Sequence, residues 1–490
     1  MKSNFRQMTL MMLLTLAFGL GLSGLASAQE VTGTIVGTVR DASGAVVPGA
    51  SVTITDPTKD NIVVRNLTAN DDGEFSAPNL QSGIYQVSVE AANFKKAVQT
   101  DVKLDVGQRR LVEVQLEAGN ISETVTVEAG AVSVDLNTPT AATTINGDQV
   151  RELAINNRNF TQLVALAPGV SSDLSDQVFT GTTNPEGQPN IVQLSVNGAR
   201  SSQNTFTVDG ADITDRGSNL TIQAYPSIDS IGEFKVLRSM FPAESGRSGG
   251  GQVNVVTRSG TSEFRGSAFE FVRNEKFNAN DFLTNSRPQL AAQLGRDPDT
   301  GRINRRPFRY NNFGFTFGGP IFFLNFGEGG STFKRYERTF FFFSEEVRRD
   351  RRSTTLISSL PDANLRRGFF TVPVCLQATG TTCNLIQPAN TTLANINPVS
   401  QQYLTQVYNK LPLPNVAGTF DLQFPTPAVA DFRQEIIKID HSFNDKFSVY
   451  YRFQNDKIPT IDANAIFTSG SGIPNVSTTS SNSPGRTHTA

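Results

Sequence analysis

The chain has 490 residues, with 43 Lys+Arg against 45 Asp+Glu, and this near balance excludes a whole-protein electrostatic grip on nucleic acid. At 38% hydrophobic with 40 Gly, the composition excludes both general disorder and a collagen-like fibre. The two histidines, His441 and His488, leave little material for imidazole catalysis, so no catalytic residue, metal site or cofactor is expected.

The length suggests about three domains. The halves differ in substance: residues 1–260 hold 9 of the 35 Phe, leaving 26 for the rest. At the start, Lys2 and Arg6 precede an apolar run, Met8 to Leu22, that ends in Ala26-Ser27-Ala28. This is the pattern of a secretory signal peptide, residues 1–28. No later stretch reaches 18 consecutive apolar residues, so no membrane-spanning helix is expected. Export implies an oxidising compartment, where Cys375 and Cys383 either close a small disulfide loop or stand as two thiols.

From Val31 to Glu117, short stretches such as Ser51-Val52-Thr53-Ile54-Thr55 and Tyr85-Gln86-Val87-Ser88-Val89 alternate polar and apolar residues, separated by Ser43-Gly44, Pro48-Gly49, Asp72-Gly73 and Ser82-Gly83. Period two with turn signals predicts a β-sandwich over 29–118 of about seven strands, its core holding Phe75, Leu80, Tyr85, Val87 and Phe94. The runs GTVRDASGAVVPGASVTI, DDGEFSAPNL and SGIYQVSVEAANF resemble the carboxypeptidase regulatory-like (CnaB-like) domain. The resemblance implies a non-catalytic unit, with carbohydrate binding as an associated expectation. No His lies between Gln29 and Gly260 to ligate the zinc a carboxypeptidase needs.

A linker, 119–134, carries Glu123-Thr124-Val125-Thr126-Val127-Glu128-Ala129. On composition alone this is the last strand of the sandwich, although an alternating β-former in a linker also suits pairing with another protein's sheet edge. ETVTVEA resembles the TonB box of outer-membrane TonB-dependent transporters, which would make Glu123–Ala129 the TonB-binding segment.

Residues 135–259 predict a small α+β unit. Asn146 or Asp148 caps one short helix, and Asn159 with Gln162 caps a second whose Phe160, Leu163, Val164 and Ala167 share a face. Asn197-Gly198 and Asp209-Gly210 mark tight turns between strands. The glycines of Ser245–Gly251 are no phosphate loop, because no GK[ST] follows. NRNFTQLVALAPGV, SVNGARSSQNTFTVDGADITD and IGEFKVLRSMFPAESGRSGGGQVNVVTRSGTSEFRGSAFEF resemble the plug and first barrel strand of Oar-like TonB-dependent receptors. Among its charges, Arg200, Asp209 and Arg247 are read as solvated surface groups rather than as plug–barrel ion pairs.

Residues 260–490 carry the outer-membrane barrel pattern. Phe313, Phe315 and Phe317 alternate with Asn312, Gly314, Thr316 and Gly318; Phe447, Val449, Tyr451 and Phe453 alternate with Ser448, Tyr450, Arg452 and Gln454; Ile437 and Ile439 alternate with Lys438 and Asp440. The run Phe340–Phe343 is expected at the lipid interface, Arg348–Arg352 at a return to water, and Thr371–Asn397 and Ser469–Arg486 in aqueous loops. A barrel of about 22 strands needs nearly all of this half at roughly ten residues each. Only five or six strands are identifiable, so the sequence is read as the N-terminal portion of a larger barrel protein.

The expected fold class is therefore mainly β: an N-terminal β-sandwich, a small α+β plug domain, and the first strands of an incomplete antiparallel transmembrane β-barrel. The resemblance implies active transport of an unidentified ligand across the outer membrane by a non-enzyme, energised by the TonB–ExbB–ExbD complex. Outer-membrane lipid is the other expected partner, nucleic acid is not one, and the N-terminal domains would be periplasmic. A cell-surface adhesin or envelope-assembly protein using the sandwich for binding is the competing expectation.

Overall fold

A computed structural model describes residues 32–120, 123–128, 140–155, 158–172, 192–217, 219–241, 249–280, 282–286, 291, 294–324, 333–462 and 479–489. The signal-peptide segment 1–28 lies outside the described residues.

The sandwich is built from β1 (Thr32–Asp41), β2 (Ser51–Asp56), β3 (Ile62–Thr68), β4 (Glu74–Gln81), β5 (Gly83–Glu90), β6 (Lys96–Leu104), β7 (Arg109–Leu116) and β8 (Thr124–Glu128). One sheet runs β4-β1-β7 and the other β3-β2-β5-β6-β8. Alternation places Ile35, Val52, Ile54, Phe75, Leu80, Tyr85, Val87 and Leu116 between the sheets, each fully or almost fully buried, while Phe94 packs half-buried at the margin. Burying a side chain of this kind is worth about 1.5–3 kcal/mol. Tyr85 meets the cost of burying its hydroxyl by donating to the Gln81 carbonyl at 2.6 Å.

The next unit contains β9 (Ala141–Asn146), β10 (Val170–Ser172), β11 (Leu194–Val196), β12 (Thr205–Val208), β13 (Ala211–Asp212), β14 (Ile231–Ser239) and β15 (Gln252–Thr257), with a five-stranded sheet ordered β13-β12-β15-β14-β9. Asn146 caps the helix Gly147–Glu152 in a full capping box with Gln149. The second helix, Thr161–Val164, differs from expectation. Asn159 bonds Thr161 through its backbone N–H at 3.0 Å and its hydroxyl at 2.8 Å, and Gln162 completes no capping pair, because the helix begins only after Phe160. Its predicted apolar face holds: Phe160, Leu163, Val164 and Ala167 are all buried against Phe206, Phe234 and Val255. At both tight turns the backbone is left-handed, φ +50° and +79° at Asn197-Gly198 and +45° and +80° at Asp209-Gly210, which Asn, Asp and Gly adopt most readily.

The aromatic half forms one antiparallel sheet of six described strands, β16 (Arg265–Asn274), β17 (Phe308–Leu324), β18 (Phe333–Ser359), β23 (Asp421–Ser442), β24 (Ser448–Asp462) and β25 (Thr479–Thr489), in that order and open at both edges. Between β18 and β23 come four short strands, β19 (Phe369–Phe370), β20 (Val374–Thr379), β21 (Thr382–Gln387) and β22 (Thr391–Thr392). The dyad reading holds along the strands, although Phe447 falls in the turn before β24 and Ser448 is exposed. Phe313, Phe315, Phe317, Ile437, Ile439, Val449 and Tyr451 face outward, whereas Asn312, Thr316, Lys438, Asp440, Arg452 and Gln454 are buried on the inner side. Gly260 lets the chain enter this sheet, since a Cβ there would lie 2.3 Å from the Phe341 carbonyl oxygen.

Two expectations are corrected and one is refined. Phe340–Phe343 does not lie wholly at the lipid face: strand geometry sends successive side chains to opposite sides, so Phe340 and Phe342 are buried inward while Phe341 packs with Phe317 and Phe343 with Phe315 outside. Lys59 sits 5.7 Å over the Phe340 ring and Arg258 5.3 Å over Phe342, at cation–π distance. Arg348–Arg352, expected at a return to water, lies within β18, which continues to Ser359; Arg349 and Arg351 are exposed, while Arg348 is buried 3.9 Å over the Phe432 ring. The described part of the polar tail is β25, paired along β24; ladders are made by backbone groups, which hydropathy does not register.

Long connections, 275–307 and 360–420, leave one end of this sheet, and the five-residue turn 443–447 closes β23 onto β24 at the other. The sandwich sits at the short-turn end. Arg65 donates to the Asp445 carbonyl at 2.9 Å, Ser262 N–H donates to the Thr58 carbonyl at 2.9 Å, and Arg335 pairs with Asp60.

Candidate functional site

Two assemblies connect the three units. The first is the extended segment. β8 lies parallel to β6, with Lys96, Ala97, Val98, Gln99 and Thr100 opposite Thr124, Val125, Thr126, Val127 and Glu128. Lys95 lies 3.3 Å from the Glu123 carboxylate and 3.4 Å from that of Glu117, and the hydrogen bonds it donates to these two carboxylates hold its ammonium above the usual lysine range. Thus Glu123–Glu128 is docked on the sandwich as its outermost strand, while Ala129 lies outside the described residues. The side chains contribute little to the core: Val125 is half-buried and Val127 is 54% exposed. Attachment is mainly through backbone hydrogen bonds.

The second assembly joins the α+β unit to the inner face of the six-stranded sheet. Asp209, buried at the turn after β12, lies 3.0 Å from the Arg452 guanidinium and 3.5 Å from the Lys438 ammonium. Both cations reach further into the same unit: Lys438 donates to the Thr257 carbonyl at 3.2 Å and Arg452 to the Val208 carbonyl at 3.0 Å. Tyr450 adds a 2.7 Å bond to the Asp209 carbonyl. Asp209 also accepts from the Thr257 N–H at 2.9 Å, so the carboxylate is fixed before the cations meet it. A parallel cluster centres on Arg158, which pairs with Asp229, lies 3.3 Å from Glu346, and stacks 4.4 Å over the Phe269 ring. Asn312 orients Glu346 at 2.8 Å, and Tyr225 N–H donates to Asp456 at 3.0 Å.

These contacts correct the solvated reading of Asp209. Arg200 shows no such pairing in the described contacts; its own backbone N–H donates to Gln203 at 3.3 Å. Arg247 lies outside the described residues. Arg158, Asp229, Glu346, Lys438 and Arg452 went unremarked as a cluster in the sequence. The usable signal was parity: Lys438 and Arg452 fall on the non-lipid phase of otherwise aromatic strands, where a charge needs a partner. Cys375 and Cys383 are joined by a disulfide across the β20–β21 hairpin, with Cα atoms 5.8 Å apart, in the long connection at the end away from the sandwich.

The sandwich meets the α+β unit at Glu233, which accepts from the Val106 N–H at 2.7 Å and is also hydrogen-bonded by Ser82, and at Lys235, which donates to the Gly107 carbonyl at 3.2 Å. A polar cleft of about 720 Å³, lined by Arg65, Arg151, Glu233, Arg258 and Lys438 among others, otherwise separates it from its neighbours. Burial, reinforced by the nearby Asp105 charge, pushes the Glu233 carboxyl up to about 7. A carboxyl raised on docking favours the docked state fully below its ordinary value of 4.5, and that advantage is lost as pH rises through about 7. Cross-linking between sandwich and α+β unit is therefore expected to fall between pH 5 and 8, and Glu233→Gln should flatten the profile. An unchanged profile in the variant would assign the pH response elsewhere.

Comparison with known proteins gives the same three units in the same order. Residues 34–117 match the carboxypeptidase regulatory-like domain, 135–253 the TonB-dependent receptor plug domain, and 256–490 the outer membrane beta barrel domain. Over 343 residues the chain is 28% identical to the TonB-dependent transporter Oar of Myxococcus xanthus. The three domain matches and this relative together support an Oar-like TonB-dependent receptor. The match covers 66% of this chain and 29% of that relative's length. Among solved structures, the outer membrane transporter YddB of Escherichia coli is similar over 66% of this chain and 34% of its own, at 12% identity and TM-score 0.39. The ferric enterobactin receptor PfeA of Pseudomonas aeruginosa is similar over 71% and 45%, at 14% identity and TM-score 0.33. The α+β unit is thus the plug and the six-stranded sheet the barrel wall of a receptor of the outer membrane, in a family of transporters rather than enzymes.

Proposed function

We propose that this receptor imports a ligand across the outer membrane by TonB-dependent active transport, the plug (135–259) closing the barrel (260–490) until TonB engages Glu123–Ala129 in the 119–134 linker. The supporting observation is the plug's seat. It is held against the inner wall by buried charge pairs, which are directional and give way to hydration once displaced, rather than by a continuous apolar interface. Short periplasmic turns and long external connections are the rule in outer-membrane barrels, so the sandwich at the short-turn end (29–118) faces the periplasm, on the side of the TonB–ExbB–ExbD machinery. Work is transmitted by backbone pairing and needs no chemistry, so no residue is assigned a catalytic role.

The test is deletion of Glu123–Ala129 in the full-length receptor. Energised uptake should fall to background while the amount of protein in the outer membrane and its heat-modifiable migration stay at wild-type levels. Uptake that survives the deletion would refute the assignment of the box.

A further inference from the structure

We propose that the sandwich presents residues 124–128 as a finished sheet edge, to which a TonB strand adds without displacing the segment, so that receptor and TonB share one sheet. The inference rests on the box reading and gives the sandwich a role as the platform that receives the pull. In a parallel ladder, alternate residues of a strand turn their N–H and C=O groups to one side. Lys96 N–H donates to the Glu123 carbonyl at 2.9 Å and fixes the phase. Glu123, Val125 and Val127 therefore bond toward β6, while Thr124, Thr126 and Glu128 direct their backbone groups away from it. On that far side β8 is the terminal strand of its sheet.

Beyond its five-residue length and the charge of Glu128, the edge carries none of the devices that usually protect one. The segment has no Pro, its register with β6 carries no bulge, and Thr124, Thr126, Val127 and Glu128 are exposed. A strand with one edge filled and the other bare can take a second partner at no cost in lost pairing. Exchange, by contrast, would first break the β6 ladder and the contact of Lys95 with Glu123. A pull on a shared sheet then falls on the sandwich, whose described hydrogen bonds to the plug gather at Glu233 and Lys235. Glu233 and Lys235, two residues apart, project from the same face of strand β14, which is paired with β15, the strand that leads into the barrel.

The test uses the full-length receptor in detergent and the isolated periplasmic domain of TonB. Ala97 and Val125 face each other in the register, so A97C with V125C staples β8 to β6. The stapled receptor should bind TonB within about twofold of wild type, and adding Thr126→Pro to the stapled form, which removes an outward N–H while the strand is held in place, should weaken binding at least tenfold. A tenfold loss on stapling, restored by reductant that leaves wild-type binding unchanged, would overturn the shared sheet in favour of exchange. Self-association through the edge in place of TonB binding would overturn it as well. Binding that persists after deletion of Glu123–Ala129 would instead sink the box reading, whatever the staple does.

Discussion

Asp209→Ala should loosen the plug from the barrel wall by about 3–5 kcal/mol, the usual consequence of removing one member of a buried, hydrogen-bonded charge cluster. Arg452 and Lys438 would both lose their counter-ion in a position where each is almost fully buried. The loss should register as a lower denaturant midpoint for release of the plug and as increased entry of bulky antibiotics that intact receptors exclude. A double-mutant cycle with Arg452→Met separates the pair from its surroundings: the second change should restore part of the loss, because it removes the stranded cation. Independent, additive effects of the two substitutions would show that the cluster does not act as one fastening.

The second large effect concerns the lipid face. Phe317→Arg should impair assembly by about 2–4 kcal/mol, the cost of a cation on the lipid-facing side of a barrel near mid-bilayer. Its neighbours on that face are Phe264, Phe341 and Phe343, none of which can offer an arginine a partner. Phe315→Arg should cost less, although Phe315 has the same exposure and phase. It stands directly across from Glu345, which already lies 3.0 Å from Arg433 on the outer face. Quantifying folded barrel in membranes by heat-modifiable migration distinguishes the two, and equal losses at both sites would contradict the local role given to Glu345.

Much of this was legible in the chain because barrel strands obey a period-two rule that needs no tertiary information. Phe313, Phe315 and Phe317 declare their face by parity, as do Ile437 and Ile439. The same rule, applied one residue at a time, would have divided Phe340–Phe343 between two faces; reading it as a block of like residues concealed the alternation. What sequence left open were facts about partners. Asp209 looks like an ordinary turn aspartate, and only the fold brings β23 and β24 against it. Likewise ETVTVEA reads on composition as a sandwich strand and by resemblance as a tether, and in the fold it stands in the first of these positions. A strand's two edges allow both. The Thr479–Thr489 strand was beyond reach for another reason: its pairing is entirely a property of the main chain.

The length of β18 carries a last consequence. Spanning a bilayer takes about 9–11 tilted residues, yet from Arg348 to Ser359 the strand continues past its aromatic segment for roughly 40 Å, or roughly 28 Å of height at a tilt near 45°. Its pairing with β23 persists to the top, so this extension is a stiff palisade rather than a set of loose arms. If this end faces outward as proposed, a rampart of that height would narrow the directions from which a large particle could approach the mouth below.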